Sequence, residues 1–187
     1  MSAIVLDSTS ALIVIDLQKG IVALPTAHPA ADVIERAAEL AGAFRRRGLP
    51  VVLVNVAGSA PGRTMQAGLK GPLPPDWAEL VPELNRQPND HVVTKRTWGA
   101  FTATGLDAHL RVAGVTQVVL AGIATSIGVE STARQAFELG YNVTLAVDAM
   151  TDLNADAHAN SIARIFPRLG ETASTQEIVA RLDTLAA

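Results

Sequence analysis

The sequence contains no cysteine among its 187 residues, which excludes disulfides and a thiolate nucleophile. Aromatic residues make up 4% of the chain, too few for the stacking platforms that bind single-stranded nucleic acid. The net charge is −3, and the 15 Lys and Arg residues form no long basic block. No apolar run approaches the roughly 20 residues that cross a bilayer, and the N-terminal residues lack the pattern of a secretion signal. We therefore expect a cytoplasmic protein that binds neither nucleic acid nor membrane.

Short apolar runs alternate with amphipathic segments along the chain. The runs predict strands that are buried on both faces, as in a parallel sheet, at 11–16, 49–56, 91–94, 116–123, 141–148 and, more weakly, 171–174. Helical periodicity and stop signals predict helices over 31–47, 106–114, 127–139, 154–166 and 175–187. The alternation favours a doubly wound, Rossmann-like α/β fold of three layers (α/β/α) with a mostly parallel six-stranded sheet. The length fits a single domain over residues 1–187.

One connection is longer than the link between a strand and the next element requires. Residues 57–76 contain four Gly and four Pro and show no periodic pattern. Long loops in compact domains are usually lids, binding loops or interface segments. We expect one of these three roles here.

Polar side chains follow several of the predicted strands. Asp16 ends the first strand, Lys95 the third and Asp148 the fifth, while Thr125 and Ser126 follow the fourth. Ligands of open α/β sheets bind beyond the carboxyl ends of the strands, where the strand order reverses. Because burial raises a carboxyl pKa and an ammonium lowers it, Asp16 and Lys95 together could donate and accept a proton. Structural alternatives are a cap for Asp16, a solvated surface position for Lys95 and, as the favoured interpretation, a cap or structural bond for Asp148.

Three segments carry a family resemblance. IVIDLQKG (13–20), VTKRTWGAF (93–101) and AGIATSIGVESTARQAFELGYNVTLAVDA (121–149) resemble, in order, the signature blocks of the isochorismatase-like hydrolases. That superfamily includes nicotinamidases, carbamoylsarcosine amidohydrolases and isochorismatase. The resemblance implies a parallel sheet between helices and a non-proline cis peptide between Ile123 and Ala124. It also implies an Asp–Lys–Cys triad, of which the acid falls on Asp16, the lysine on Lys95 and the cysteine on Gly128.

A glycine at position 128 cannot attack a substrate. Isochorismatases proper also carry glycine at this point, and the resemblance implies that their aspartic acid protonates the alkene of a vinyl ether without a covalent intermediate. Water then adds and pyruvate leaves. Asp16 and Lys95 would suffice for this reaction, and we expect a small, anionic substrate, which isochorismate would satisfy.

Three other interpretations of Gly128 stay open. The protein could be a non-catalytic binding protein that kept the pocket, or a cysteine hydrolase with an engineered Cys→Gly change. A hydroxyl of Thr125, Ser126 or Ser131 could replace the thiol, although no histidine is obviously placed to activate one. Gly128 could also either admit a ligand to the N–H groups at the start of helix 127–139 or satisfy a tight turn.

Further residues are candidates for substrate binding. Trp98 and Phe101 follow the lysine and would either wall the pocket or pack in the core. Isochorismatases proper carry arginine where this chain has Thr97, and Arg63 on the long loop could supply the missing donor to an anion. Backbone N–H groups of the turn hold an oxyanion in members that form an acyl intermediate, which adds the turn residues to the candidates: Ile123, Ala124 and Ser126.

We expect no cofactor and no metal. The four histidines, His28, His91, His109 and His158, lack ligand spacing, and NVAGSAPGR stands where nicotinamidase-type members have an Asp-x-His-x-x-His cluster. AGIATSIG has the wrong spacing for a dinucleotide-binding loop. Because family members commonly oligomerise, the resemblance implies a homo-oligomer, either a dimer or a tetramer.

Overall fold

A single six-stranded sheet organises the computed structural model, which describes residues 4–65 and 73–185. The strands are β1 (Ser10–Ile15), β2 (Val51–Val56), β3 (His91–Lys95), β4 (Gln117–Ile123), β5 (Asn142–Thr151) and β6 (Glu171–Ala173). Their order is β3-β2-β1-β4-β5-β6, and every neighbouring pair is parallel. The predicted doubly wound α/β fold is confirmed, and the sheet is parallel throughout.

The helices are α1 (Lys19–Val22), α2 (Ala30–Arg46), α3 (Leu106–Val112), α4 (Glu130–Glu138), α5 (Ala155–Asn160) and α6 (Thr175–Thr184). Two of the predicted helices are not continuous α-helices in the structure. The first, 127–139, is a wide π turn over 125–129 that continues into α4. The second, 154–166, is α5 followed by a π turn over 161–165 and a 3₁₀ turn. That 3₁₀ turn contains Pro167, which has no N–H to donate. Residues 66–72 of the predicted long loop and 186–187 of the last predicted helix lie outside the described residues.

Apolar layers cover the sheet on both faces. Alternate side chains of β1 point to opposite sides: Leu12 and Val14 belong to one buried cluster, and Ile13 and Ile15 to the other. The first cluster is completed by residues of α2 and α6, among them Ala37, Leu40, Phe44, Ile178 and Leu182. The second is completed by residues of α3 and α4, among them Leu106, Leu110, Ala133 and Ala136. These two clusters bury both faces and hold the sheet between two helical layers.

The strand order reverses between β1 and β4, because the chain runs outward from β1 to β3 and then returns to the other side of β1. Asp16 follows β1 and the 125–129 turn follows β4, so both lie at this reversal. β4 approaches β1 closely at Gly122, whose φ is +121° and where a Cβ would lie 2.0 Å from the Ile15 carbonyl oxygen.

The fifth strand is longer than predicted, so the placement of Asp148 at its end was wrong. β5 continues to Thr151, with a shift of register opposite Leu120 and Gly122. Asp148 instead accepts hydrogen bonds from the Thr175 backbone N–H at 2.7 Å and the Thr175 hydroxyl at 3.0 Å, at the start of α6. This is the structural bond that was the favoured interpretation of Asp148.

Within the two described ranges, no helix combines the length and the apolar composition needed to cross a membrane.

The contact at Gly122 predicts a sharp difference between two glycine substitutions. Gly122→Ala would drive a methyl group into the Ile15 carbonyl at a positive φ, and we expect a loss of more than about 2 kcal/mol in the free energy of unfolding. Gly42→Ala lies within α2, where the nearest atom to a Cβ is the end of Arg46 at 3.4 Å. We expect this control to be about 0.5–1 kcal/mol more stable than the wild type. Urea unfolding followed by circular dichroism would compare them, and equal stabilities would contradict the role given to Gly122.

Candidate active site

Asp16 is buried at the carboxyl end of β1, with 5% of its surface exposed. Its backbone adopts a positive φ of 52°, which few residues other than glycine take up and which Asp tolerates better than most. The backbone is fixed on both sides, since its N–H donates to the Val54 carbonyl at 2.9 Å and its carbonyl accepts the Gln18 N–H at 2.8 Å. The chain therefore turns at Asp16 and holds its carboxyl group at the edge of the sheet.

Lys95 is the last residue of β3 and is 2% exposed. β2 lies between β3 and β1, and the long lysine side chain reaches past it. The Lys95 Nζ donates to Asp16 Oδ2 at 2.7 Å and to the Thr97 carbonyl at 3.2 Å. The structure thus places the ammonium and the carboxyl in one buried contact at the reversal of the strand order.

The two oxygens of Asp16 differ. Oδ2 accepts the Lys95 ammonium, whereas Oδ1 is buried and has no hydrogen-bond partner among the described residues. Burial raises the pKa of Asp16 from 3.8 to about 6, and the charge and hydrogen bond of Lys95 act in the opposite direction. When Asp16 is protonated, its proton therefore belongs on Oδ1, where no protein group holds it.

Gly128 lies directly against this carboxyl group. A Cβ at this position would be 3.3 Å from Asp16 Oδ2, 2.9 Å from a methyl group of Ile15 and 3.6 Å from the Trp98 carbonyl oxygen. Gly128 belongs to the 125–129 turn, which begins after a cis peptide bond between Ile123 and Ala124, as the resemblance implied. Any side chain at 128 would therefore push against Ile15 and crowd the Asp16 carboxyl group.

Two buried side chains hold this turn in place. The Thr132 hydroxyl, on α4, donates to the Gly128 carbonyl at 2.7 Å and accepts the Ala100 N–H at 3.1 Å, so it ties the turn to the segment that follows Lys95. Asp152, directly after β5, accepts the Ser126 N–H at 2.6 Å. Sequence reasoning missed both. The apolar residues that continue past Asp148 were the available signal that β5 extends and that Asp152 is the acid at its end.

A third contact corrects the expectation that no histidine is placed beside the turn's hydroxyl groups. The Thr125 hydroxyl lies 2.8 Å from His158 Nδ1, although 33 residues separate them. Thr125 is fully buried, and its hydroxyl is already engaged with the imidazole. No local pattern in the sequence pointed to this pair, because the packing of α5 on the turn creates it.

The other predicted site residues are more dispersed. The side chain of Trp98 is 60% exposed, although its main chain lies beside Gly128. Phe101 is half-buried and stacks on Tyr141 at a ring distance of 5.9 Å within the second apolar cluster. Arg63 is exposed, and its guanidinium has no hydrogen bond or ion pair to any residue described. Ile123 and Ala124 are buried, and Ser126 is half-buried.

Over residues 4–65 and 73–185, no cluster of three or more His, Asp or Glu has the arrangement of a metal site.

Comparison with known proteins agrees with this fold. The sequence profile of the Isochorismatase domain matches residues 10–177. The uncharacterized isochorismatase family protein YecD of Escherichia coli O157:H7 is 44% identical over 183 residues, which cover 93% of this chain and 96% of YecD. YwoC of Bacillus subtilis strain 168, of the same description, is 42% identical over 180 residues, or 92% and 94% of the two chains. The structure of an isochorismatase family protein from Burkholderia thailandensis superposes with a TM-score of 0.93 at 45% identity, covering 98% of this chain and 100% of that one.

The contact between Asp16 and Lys95 predicts how the pKa of Asp16 responds to loss of the ammonium. Lys95→Met keeps the length of the side chain and removes its charge, so we expect the pKa of Asp16 to rise above the value of about 6. Carboxyl ¹³C chemical shifts of labelled aspartate would follow the titration, with Asp16→Asn assigning the resonance. The control is Lys19→Met, which removes an exposed lysine paired with Asp76 and Glu79. An Asp16 pKa that is unchanged or lower in Lys95→Met would contradict the geometry.

Proposed function

Because the chain belongs to the isochorismatase family of hydrolases, we propose that it hydrolyses a small anionic vinyl ether of the isochorismate type by acid–base chemistry at Asp16 and Lys95. The observation that carries this proposal is the buried Asp16 carboxyl, with one oxygen held by an ammonium and the other without a partner. A carboxyl with a pKa raised to about 6 is a competent proton donor near neutral pH.

The proposed reaction begins with transfer of the Asp16 proton from Oδ1 to the terminal carbon of the alkene. The ether carbon then carries oxocarbenium character, and a water molecule adds to it. The resulting hemiketal collapses to pyruvate and the ring alcohol, and the proton released by the added water restores the acid. One water is consumed, and no bond to the protein is formed.

Lys95 has two roles in this scheme. Its hydrogen bond to Oδ2 fixes the orientation of the carboxyl group and leaves Oδ1, which has no other partner, to carry the proton that is transferred. Its positive charge stabilises the carboxylate that forms when the proton departs. Since the Thr97 carbonyl also accepts from Nζ, the ammonium stays in place while Asp16 changes its protonation state.

Gly128 supports the same proposal because a glycine has no side chain that could act as a nucleophile. The chain contains no cysteine, and we propose that Gly128 occupies the position of the family's cysteine. A glycine there adds no side chain beside the acid, where a Cβ would lie 3.3 Å from Asp16 Oδ2 and 2.9 Å from a methyl group of Ile15. A reaction that needs an acid and water, but no nucleophile, is consistent with this arrangement.

Two exposed residues are proposed to contact the substrate. Trp98 is 60% exposed and its main chain lies beside Gly128, and an aromatic side chain suits stacking on a planar ring. Arg63 is an exposed cation on the segment after β2, which suits a carboxylate. Roles for Phe101, Ile123, Ala124 and Ser126 in binding, and assembly into a homo-oligomer, also stay predictions.

The first test is turnover of isochorismate by the purified protein, with pyruvate measured by a coupled lactate dehydrogenase assay. We expect Asp16→Asn to lose at least about 10²-fold in kcat, because the amide cannot donate the proton. The matched control is Asp183→Asn, which removes an exposed carboxyl on α6 and should leave kcat unchanged. If the wild type releases no pyruvate, or if Asp16→Asn retains full turnover, the proposal is wrong.

The pH dependence of this turnover gives a second test. Asp16 must be protonated to act, and its pKa is about 6. The rate should therefore fall as the pH rises through this value, by about tenfold for each further unit above pH 7. The carboxylates of the substrate stay ionised over this range, so the decline reports on the protein. A rate that increases between pH 6 and pH 8 would point to a general base instead.

A further inference from the structure

We propose that neutral His158 is a positioning residue for the 125–129 turn, accepting the hydroxyl proton of Thr125, and that protonation of its imidazole disrupts this contact and shifts the turn that faces Asp16. The placement of Thr125 and His158 supports this directly. Its consequence for catalysis rests on the proposed function, whereas the contact itself does not.

The hydroxyl of Thr125 has one partner within the described ranges, His158 Nδ1 at 2.8 Å. Because Thr125 is fully buried, no solvent can replace that partner. Neutral imidazole can accept the hydroxyl proton at Nδ1, whereas imidazolium carries a proton there and can only donate. Protonation of His158 would therefore leave the proton of a buried hydroxyl without an acceptor, which is unfavourable unless the turn moves.

A second histidine is anchored in the same way. The Thr151 hydroxyl oxygen accepts the backbone N–H of His28 at 3.1 Å and lies 3.0 Å from His28 Nδ1. With that oxygen accepting, its proton is free to point to His28 Nδ1. The rings of His28 and His158 are 4.8 Å apart, so a charge on one opposes a charge on the other.

The charges around His158 do not cancel its preference for the neutral form. Burial lowers the pKa of His158, His28 lowers it further, and Asp152 raises it. His28 and His158 also line a cavity of about 250 Å³ together with three charged side chains, Asp32 and Arg36 from α2 and Asp148 from β5. Arg36 is already engaged, since it donates to the Asp148 carbonyl at 2.8 Å and lies 3.7 Å from the Asp148 carboxylate.

The consequence is an acid limit on the site. Because the pKa of His158 is lowered in the folded state, its contribution to stability is complete above about pH 6.5 and is lost as the pH falls through the folded-state pKa. Asp16 needs its proton and His158 must lack one, so the two groups set opposite limbs of a bell-shaped profile. A shift at Thr125 would reach the acid through Gly128, because Gly128 belongs to the same turn as Thr125 and lies beside the Asp16 carboxyl group.

The test uses Asp16→Asn protein, so that the titration of Asp16 and the proposed reaction play no part. Long-range ¹⁵N NMR of labelled histidine would give the tautomer and the pKa of His158, and amide spectra would follow Ser126 and Gly128 over the same pH range. We expect the Nε2–H tautomer of His158 at high pH, and amide shifts of both turn residues with the midpoint of the His158 ring.

Variants of Thr125 separate positioning from mere proximity to a charge. Thr125→Val keeps His158 in place without the hydroxyl, so the two amides should stop following the ring, whereas Thr125→Ser should restore the response. His158→Gln should abolish it, and His109→Gln, which removes a ring stacked on His91, should leave it intact. The proposal is overturned if the amides stay flat while His158 titrates, if the response persists in Thr125→Val, or if His158 has the Nδ1–H tautomer. If Thr125→Val does not fold, the tautomer and the His158→Gln spectra still decide.

Discussion

The buried contact between the Asp16 carboxyl and the Lys95 ammonium is the interaction on which the site depends. Removing two charged groups from water costs several kcal/mol for each ion, and only a close, well-oriented contact offsets this cost. Here Lys95 Nζ lies 2.7 Å from Asp16 Oδ2, and both side chains are almost fully buried. The raised pKa of Asp16 indicates that the ammonium does not fully compensate for burial. That imbalance is the basis for proposing Asp16 as the acid.

The positions of the strands along the chain follow largely from the sequence, because continuous apolar runs such as 116–123 are typical of strands covered on both faces. The irregular turns within the helical segments could not be predicted in the same way. The 125–129 turn and the 161–165 turn are wound more widely than an α-helix, and the sequence shows no break in apolar periodicity at either place. The end of β5 was also misplaced, since an acid inside a strand, Asp148, resembled an acid that ends one.

The residues of the site also fall into a predictable group and an unpredictable one. The meeting of Asp16 and Lys95 was predictable, because both stand at the carboxyl ends of buried apolar runs, which share one edge of a parallel sheet. The residues that hold the neighbouring turn in place were not predictable. Thr132, Asp152 and His158 come from α4, the end of β5 and α5, and each meets the turn only through packing between elements. Short motifs contain the two charged residues of the site, whereas the residues that hold the neighbouring turn are distributed over the fold.

The separation of the two charged residues along the chain has a consequence for synthesis. Asp16 and Lys95 are 79 positions apart along the chain, and β2 lies between the strands that carry them. Until these strands come together, each ion remains hydrated, with the ordinary acidity of a free side chain. An N-terminal fragment that ends before residue 91 therefore cannot contain the centre, and a nascent chain gains it only after the third strand has left the ribosome.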